Sequence, residues 1–305
     1  MSKIEIPFFS NPAHTGLSSK ATNGSNPWVD GLFYEAQWGS SIQIALGAEK
    51  PVYSYYFLKP KDSSLFNRSP QLRAEVGNWG GADSKQGIAG ASPALTATFK
   101  EAYQSISDVS LLEFKRQAKP AKASVWIANA YFTDKGLESG RTLLGSHQGL
   151  INAQTGKQAE VPLLQTLNAF VSEEDEAEGR LGRGYSTYAT VVHEAGHGLG
   201  LSHPHDSGLG GSMSGVFPGL VPVDAFGKYG TGLWGLTQTP YTIMSYKRGY
   251  TNTTITSEDQ AKPDNATTPM ALDVAALQIK YGTNRTTRKD DSIYELNPSL
   301  WACLY

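Results

Sequence analysis

The sequence predicts an α+β domain in which helices pack on a mixed sheet, and three observations carry that prediction. Val52-Tyr-Ser-Tyr-Tyr-Phe-Leu58 is β-branched and aromatic and is closed by Lys59-Pro60, the composition of a strand. Downstream of Pro93 the apolar residues Leu95, Phe99, Ala102, Tyr103, Ile106 and Val109 recur at helical spacing, and proline suits a first turn. Leu111-Leu-Glu-Phe114 and Ala123-Ser-Val-Trp-Ile-Ala128 then have the pattern of short strands, so the order is strand, helix, strand, strand.

The remaining segments are loops and tails. The first ~25 residues mix Ser, Asn, Thr, Gly and Pro without periodicity and read as a flexible tail or short pro-segment. Residues 61–92 have the Gly and Ser content of loops. The acidic run Glu173-Glu-Asp-Glu176 can collect calcium, although such runs more often face water. The glycines between Ser207 and Pro222 match no phosphate-binding pattern.

Composition narrows the function classes. With 305 residues, of which 39% are hydrophobic and 18% charged, the chain can bury a substantial core. A formal charge of −2 and no dense Lys/Arg cluster argue against nucleic acid as a partner. No apolar run approaches the ~20 residues of a spanning helix, so no membrane partner is expected. The N-terminus, Met1-Ser-Lys-Ile-Glu-Ile-Pro7, has no visible export signal. Cys303 is the sole cysteine, which excludes an intramolecular disulfide and a thiolate zinc cluster.

The chemistry concentrates in His193-Glu-Ala-Gly-His197-Gly-Leu-Gly200-Leu-Ser-His203. Histidines four apart on a helix lie one turn apart on one face, so both imidazoles reach one point. Glu194 follows the first ligand but is angled away from the metal, where it can take a proton from water. A glycine at 200 can adopt positive φ and turn the chain back, which delivers His203 as a third ligand. Three neutral imidazoles leave zinc an open position for water, the arrangement of a catalytic site and not of a closed structural one. At this chain's His and Gly frequencies the full pattern arises by chance roughly once in a hundred thousand such chains.

Tyr241-Thr-Ile-Met244-Ser-Tyr246 follows about forty residues later, and alone it would read as a turn around a core methionine. A long zinc motif followed by such a Met-turn is the metzincin pattern. Together with Pro204 directly after the third histidine and with Thr268-Pro-Met-Ala-Leu-Asp-Val-Ala-Ala-Leu-Gln-Ile-Lys-Tyr-Gly282, it makes the sequence resemble the serralysin family of bacterial metzincin proteases. Trp28-Val-Asp-Gly-Leu32 and Tyr53-Ser-Tyr-Tyr-Phe57 extend the resemblance back through most of residues 28–282.

The resemblance implies a metzincin-like zincin domain, with a twisted mixed five-stranded sheet and long helices in an upper lobe. A loop-rich lower lobe would follow Gly200, with the substrate cleft between the two. It implies zinc on His193, His197 and His203, Glu194 as general base, and Met244 as the floor beneath the metal. Tyr246 resembles the family tyrosine that ligates zinc at rest and swings away to stabilise the oxyanion, a charge that a phenol can hydrogen-bond. Lys247 and His205 depart from the family's usual residues. His205 reads as a pocket-rim or surface residue and not a fourth ligand, since three histidines fill the protein's share of an open site.

Serralysins usually continue into calcium-binding glycine-rich repeats and a secretion signal, neither of which is seen before Tyr305. Arg288-Lys-Asp-Asp-Ser-Ile-Tyr-Glu-Leu-Asn297 resembles the junction into those repeats. The expected organisation is therefore a tail at 1–27, a catalytic domain at 28–282, and a C-terminal tail at 283–305. The expected function is a monomeric, extracellular zinc endopeptidase acting on protein or peptide. Its extended substrate would pair with a strand edge within Leu143 to Asn152. The competing expectation is a catalytically silent zinc-bearing binding module.

Overall fold

Alternation along Val52–Phe57 (β1) sends Tyr53, Tyr55 and Phe57 to one face of a sheet and Tyr56 to the other, and all four are buried. The computed structural model describes residues 26–33, 51–62, 64–65, 87–131, 144–147, 162–206, 217–220, 230–247 and 265–288. The other strands are Glu113–Arg116 (β2), Val125–Ala130 (β3), Gly145–His147 (β4) and Leu163–Asn168 (β5). Their order across the sheet is β2-β1-β3-β5-β4; β4 pairs antiparallel with β5, and the other pairs are parallel. Parallel strands need cover on both faces, and β5 is buried at every residue. The mixed five-stranded sheet with packed helices expected of the α+β domain is thus the observed one.

Helix Pro93–Ser107 (α2) begins where Ser92 accepts the Leu95 amide at 2.9 Å, with Pro93 in the first turn. Its apolar stripe packs on β1: Phe99 meets Phe57 edge-on at 5.1 Å, and Tyr103 meets Tyr55 at 5.0 Å. Burying each such ring contributes about 1.5–3 kcal/mol. Helices Ala169–Ala177 (α3), Ser186–Gly198 (α4) and Ala271–Tyr281 (α5) follow, and a short helix at Pro27–Asp30 (α1) precedes them all. Downstream of α4, the described residues up to 247 form turns and short 3-10 segments. Trp28 of α1 stacks there on Trp234 at 5.1 Å.

Two strands begin two residues later than the sequence suggests. Leu111 turns aside because its amide donates to Gly282 O at 3.0 Å at the end of α5. Pairing starts at Glu113, whose amide donates to Pro51 O at 2.8 Å. Ala123 closes a 3-10 turn by donating to Pro120 O, so β3 starts at Val125.

The acidic run belongs to α3, and its carboxylates serve separate protein partners. Glu173 accepts from Tyr131 Oη at 2.8 Å, and Glu176 accepts from Ser92 Oγ at 2.7 Å. Asp175 is buried, contrary to the expectation of a solvated run. No described helix is long and apolar enough to cross a membrane. Residues 1–25, 66–86, 207–216, 221–222, and 289–305 with Cys303, lie outside the described residues.

Candidate metal centre

Asp175 anchors the start of the histidine helix. Its Oδ2 accepts from Ser186 Oγ at 3.0 Å and Thr187 Oγ1 at 2.5 Å, and its Oδ1 accepts from Arg180 Nε at 3.2 Å. A carboxylate at a helix N-terminus satisfies the local donors and complements the dipole. Tyr188, Val191, Val192 and Ala195 bury one side of α4 in the core, which leaves His193 and His197 to converge on another. The helix ends as the sequence requires. Gly200 has φ +91°, its amide donates to His197 O at 2.9 Å, and the Leu201 amide reaches back to Gly196 O at 2.9 Å. This pair of bonds is a Schellman stop. Leu201 then bridges Phe33, and Ser202 donates to Leu32 O at 2.7 Å, which presents His203 to the helix.

The three Nε2 atoms lie 3.0–3.1 Å from one another. His193 Nδ1 is 2.8 Å from Ile243 O, and His197 Nδ1 is 2.8 Å from Leu201 O. A carbonyl only accepts, so both rings carry their proton on Nδ1 and turn the Nε2 lone pair inward. Burial, and then the neighbouring imidazoles, hold His197 and His203 well below the ordinary histidine range. Three neutral lone pairs at this separation repel unless a cation lies among them. Tetrahedral zinc with nitrogens at 2.0–2.1 Å would separate them by about 3.3 Å, so the donor set fits that ion closely. Among the described residues these three form the one such cluster of potential ligands.

Glu194 lies beside the cluster without joining it. Its Oε2 is buried and has no hydrogen-bond partner among the described residues, and burial pushes its carboxyl up to about 8. An unpaired buried carboxyl oxygen is rare enough to mark a site that a ligand or water completes. The edge strand approaches here through Gly145, where a Cβ would come within 3.1 Å of Glu194 Cγ and 2.9 Å of Thr166 O. Gly198 has a similar role at the helix end, where a side chain would overlap the His147 ring. His147 is in turn 2.8 Å from Tyr53 Oη. Two glycines thus let β4 and α4 meet, a contact that neither segment announces alone.

Met244 is fully buried beneath α4, and a Cβ on Gly196 would be 2.6 Å from its Sδ. Gly196→Val is therefore expected to lower the stability of the metal-loaded protein by about 1–3 kcal/mol through overpacking, measured as a shifted urea midpoint. Tyr246, 61% exposed, places its ring 5.7 Å from that of His193 and 4.5 Å from that of His203. His205 stacks on His203 at 4.7 Å and lies against Tyr246, outside the converging cluster. Asp273 of α5 is a participant that the sequence did not announce. Its carboxylate holds Thr242 Oγ1 at 2.6 Å, the Ile243 amide at 2.7 Å and the Met270 amide at 2.8 Å. Burial pushes it up to about 6 against the pull of those donors.

A mixed α/β domain carrying three convergent imidazoles beside an unpaired carboxyl is the class of molecule defined by fold and site. The chain is similar to "Serralysin" of Proteus mirabilis, 32% identical over 108 residues, covering 35% of this chain and 18% of that protein. It is 34% identical over 108 residues to "Serralysin C" of Dickeya chrysanthemi, covering 35% and 19%. With "Metallopeptidase AprA" of Pseudomonas marginalis it shares 32% over 108 residues, covering 35% and 20%. The match thus spans about a fifth of the length of these curated relatives. No family model matches the chain.

Proposed function

We propose that the chain is a zinc-dependent endopeptidase of the serralysin-like metzincin type, with residues 28–282 as its catalytic unit. The observation that carries this reading is the convergence of His193, His197 and His203 at 3.0–3.1 Å beside the unpaired Glu194 carboxyl. The similarity to serralysins and AprA metallopeptidases supports the same chemistry.

The three histidines would hold zinc, which when bound supplies Lewis acidity towards a carbonyl and lowers the pKa of water towards ~7. Glu194 takes a proton as the water oxygen bonds to the peptide carbon, then returns it to the nitrogen as the C–N bond breaks. The products are a carboxylate and an amine. Tyr246 would donate a hydrogen bond from its phenol to the developing oxyanion and would be a further ligand for the metal in the absence of substrate. Met244 supports the centre from below. The substrate lies extended against β4, whose outer edge carries no partner strand in the described sheet and which falls within Leu143 to Asn152. The working location of such an enzyme is extracellular, as a monomer.

Incubating the purified chain with casein or a quenched fluorescent peptide tests this reading. Cleavage is expected, with loss of at least 90% (about tenfold, ~1.4 kcal/mol) on chelation and recovery on adding zinc. Stoichiometric zinc without cleavage would identify the silent binding module instead.

A further inference from the structure

His193 is joined to a buried carboxylate more than 70 residues away by an unbroken row of hydrogen bonds. His193 Nδ1–H donates to Ile243 O at 2.8 Å. The amide of that same peptide group, Met244 N–H, donates to Thr242 Oγ1 at 3.1 Å. Thr242 Oγ1 donates in turn to Asp273 Oδ1 at 2.6 Å. Asp273 Oδ2 braces the turn by accepting from the Ile243 amide at 2.7 Å, and it ties the turn to the start of α5 through the Met270 amide at 2.8 Å.

We infer that Thr242 and Asp273 are positioning residues for the metal centre, acting on His193 through the Ile243–Met244 peptide group. Histidine ligands gain basicity and a fixed tautomer when the second ring nitrogen donates to a carboxylate or carbonyl. Here the carboxylate works through a peptide and a hydroxyl. Each bond polarises the next, so negative charge on Asp273 makes Ile243 O a better acceptor and the Nε2 lone pair of His193 a better donor to a cation. The direction of every bond is forced. The two backbone amides can only donate to Asp273 Oδ2, the Met244 amide occupies a lone pair of Thr242, and the hydroxyl proton is left for Oδ1.

The row also explains why a threonine stands two residues before the methionine. Thr242 is fully buried and the sheet lies elsewhere, so its β-branched shape serves neither strand propensity nor solvent. What it contributes is one hydroxyl that accepts and donates at once.

The inference rests on the zinc reading above, and the experiment separates the two. Zinc affinity of the full chain is measured by competition with a chromogenic chelator for wild type, Thr242→Val, Thr242→Ser and Asp273→Asn. Thr98→Val serves as control, since Thr98 Oγ1 donates to Leu181 O at 3.0 Å in the core with no link to the histidines. Thr242→Val is expected to weaken zinc binding roughly 10–100-fold, with Asp273→Asn falling at least as far. Thr242→Ser is expected to restore affinity to within about threefold, a difference of roughly 0.65 kcal/mol, and Thr98→Val to leave it unchanged while lowering stability. The ring nitrogens of His193, followed by ¹⁵N NMR in the metal-free chain, are expected to show a weakened preference for the Nδ1–H tautomer in Thr242→Val and Asp273→Asn and an unchanged one in Thr242→Ser and Thr98→Val. Zinc binding by wild type with undiminished affinity in a folded Thr242→Val overturns the relay, and an Asp273→Asn variant that fails to fold leaves that comparison intact. No zinc binding by wild type would instead overturn the function proposed for the site.

Discussion

Glu194→Gln is expected to keep one zinc per chain and to lose peptide hydrolysis by about two to four orders of magnitude. The two halves of that result come from different features. The three imidazoles converge without the carboxyl, so metal stoichiometry by atomic absorption should stay at wild-type level. Glutamine keeps the shape that packs against Gly145, which is why it is preferred to alanine here. What it lacks is a basic oxygen. Glu194 Oε2 has no hydrogen-bond partner among the described residues, so that oxygen is not held in a structural bond that the amide would disrupt. Loss of turnover with retained zinc therefore reports proton transfer. Undiminished cleavage of a quenched peptide by the glutamine variant would remove Glu194 from the mechanism.

What the sequence revealed and what it concealed divide along a physical line. His193, His197, Gly200 and His203 were legible because a helix and its stop are local, so spacing alone fixes which side chains share a face and where φ turns positive. The apolar stripe of α2 was legible for the same reason. β5 reads only as a Leu-rich stretch, because Gln165 and Thr166 break the apolar run and are buried by partners elsewhere. Gln165 accepts from Tyr103 Oη at 2.8 Å, and Thr166 bonds Ser146 at 2.7 Å. The three residues of β4 have no strand composition and are ordered by β5 and by the glycines that admit α4.

The buried carboxylates show the same limit more sharply. Asp175 sits in a run of four acids and looks like its neighbours, yet its partners Ser186 and Thr187 lie a turn and a helix start further on. Asp273 is the third residue of a helix, where an acid is ordinary, and its role comes from a turn 30 residues earlier. Residues that bind a metal directly must cluster by type. Those that orient them need only a single hydrogen bond and can stand anywhere the fold brings close.

Between pH 6.5 and 8 the metal-free wild type is expected to lose about 1.5 kcal/mol of stability relative to metal-free Glu194→Gln. The sign follows from each group in turn. Glu194 moves from 4.5 unfolded to about 8 folded, so the folded chain holds an extra proton between those values. Its stabilising contribution is complete below 4.5 and is lost as pH rises through 8. His197 and His203 are shifted the other way by burial, so they weaken the fold at low pH, and that penalty fades as pH rises through the unfolded value of 6.5, to the same extent in both proteins. Asp273, raised to about 6, has nearly spent its effect by pH 6.5, and Lys280, lowered to about 8, regains some stability near the top of the window, again equally in both proteins. Glu194 alone separates the slopes of the two proteins, by at most about 1.4 kcal/mol per pH unit. A cation on the three Nε2 atoms favours the Glu194 carboxylate and stabilises the fold by mass action, so the zinc-loaded proteins should show little of this difference. Urea midpoints at pH 6.5 and 8 in chelator, for wild type and Glu194→Gln, measure it. Equal slopes in the two proteins would mean that the carboxyl beside the histidines is already ionised in the metal-free fold.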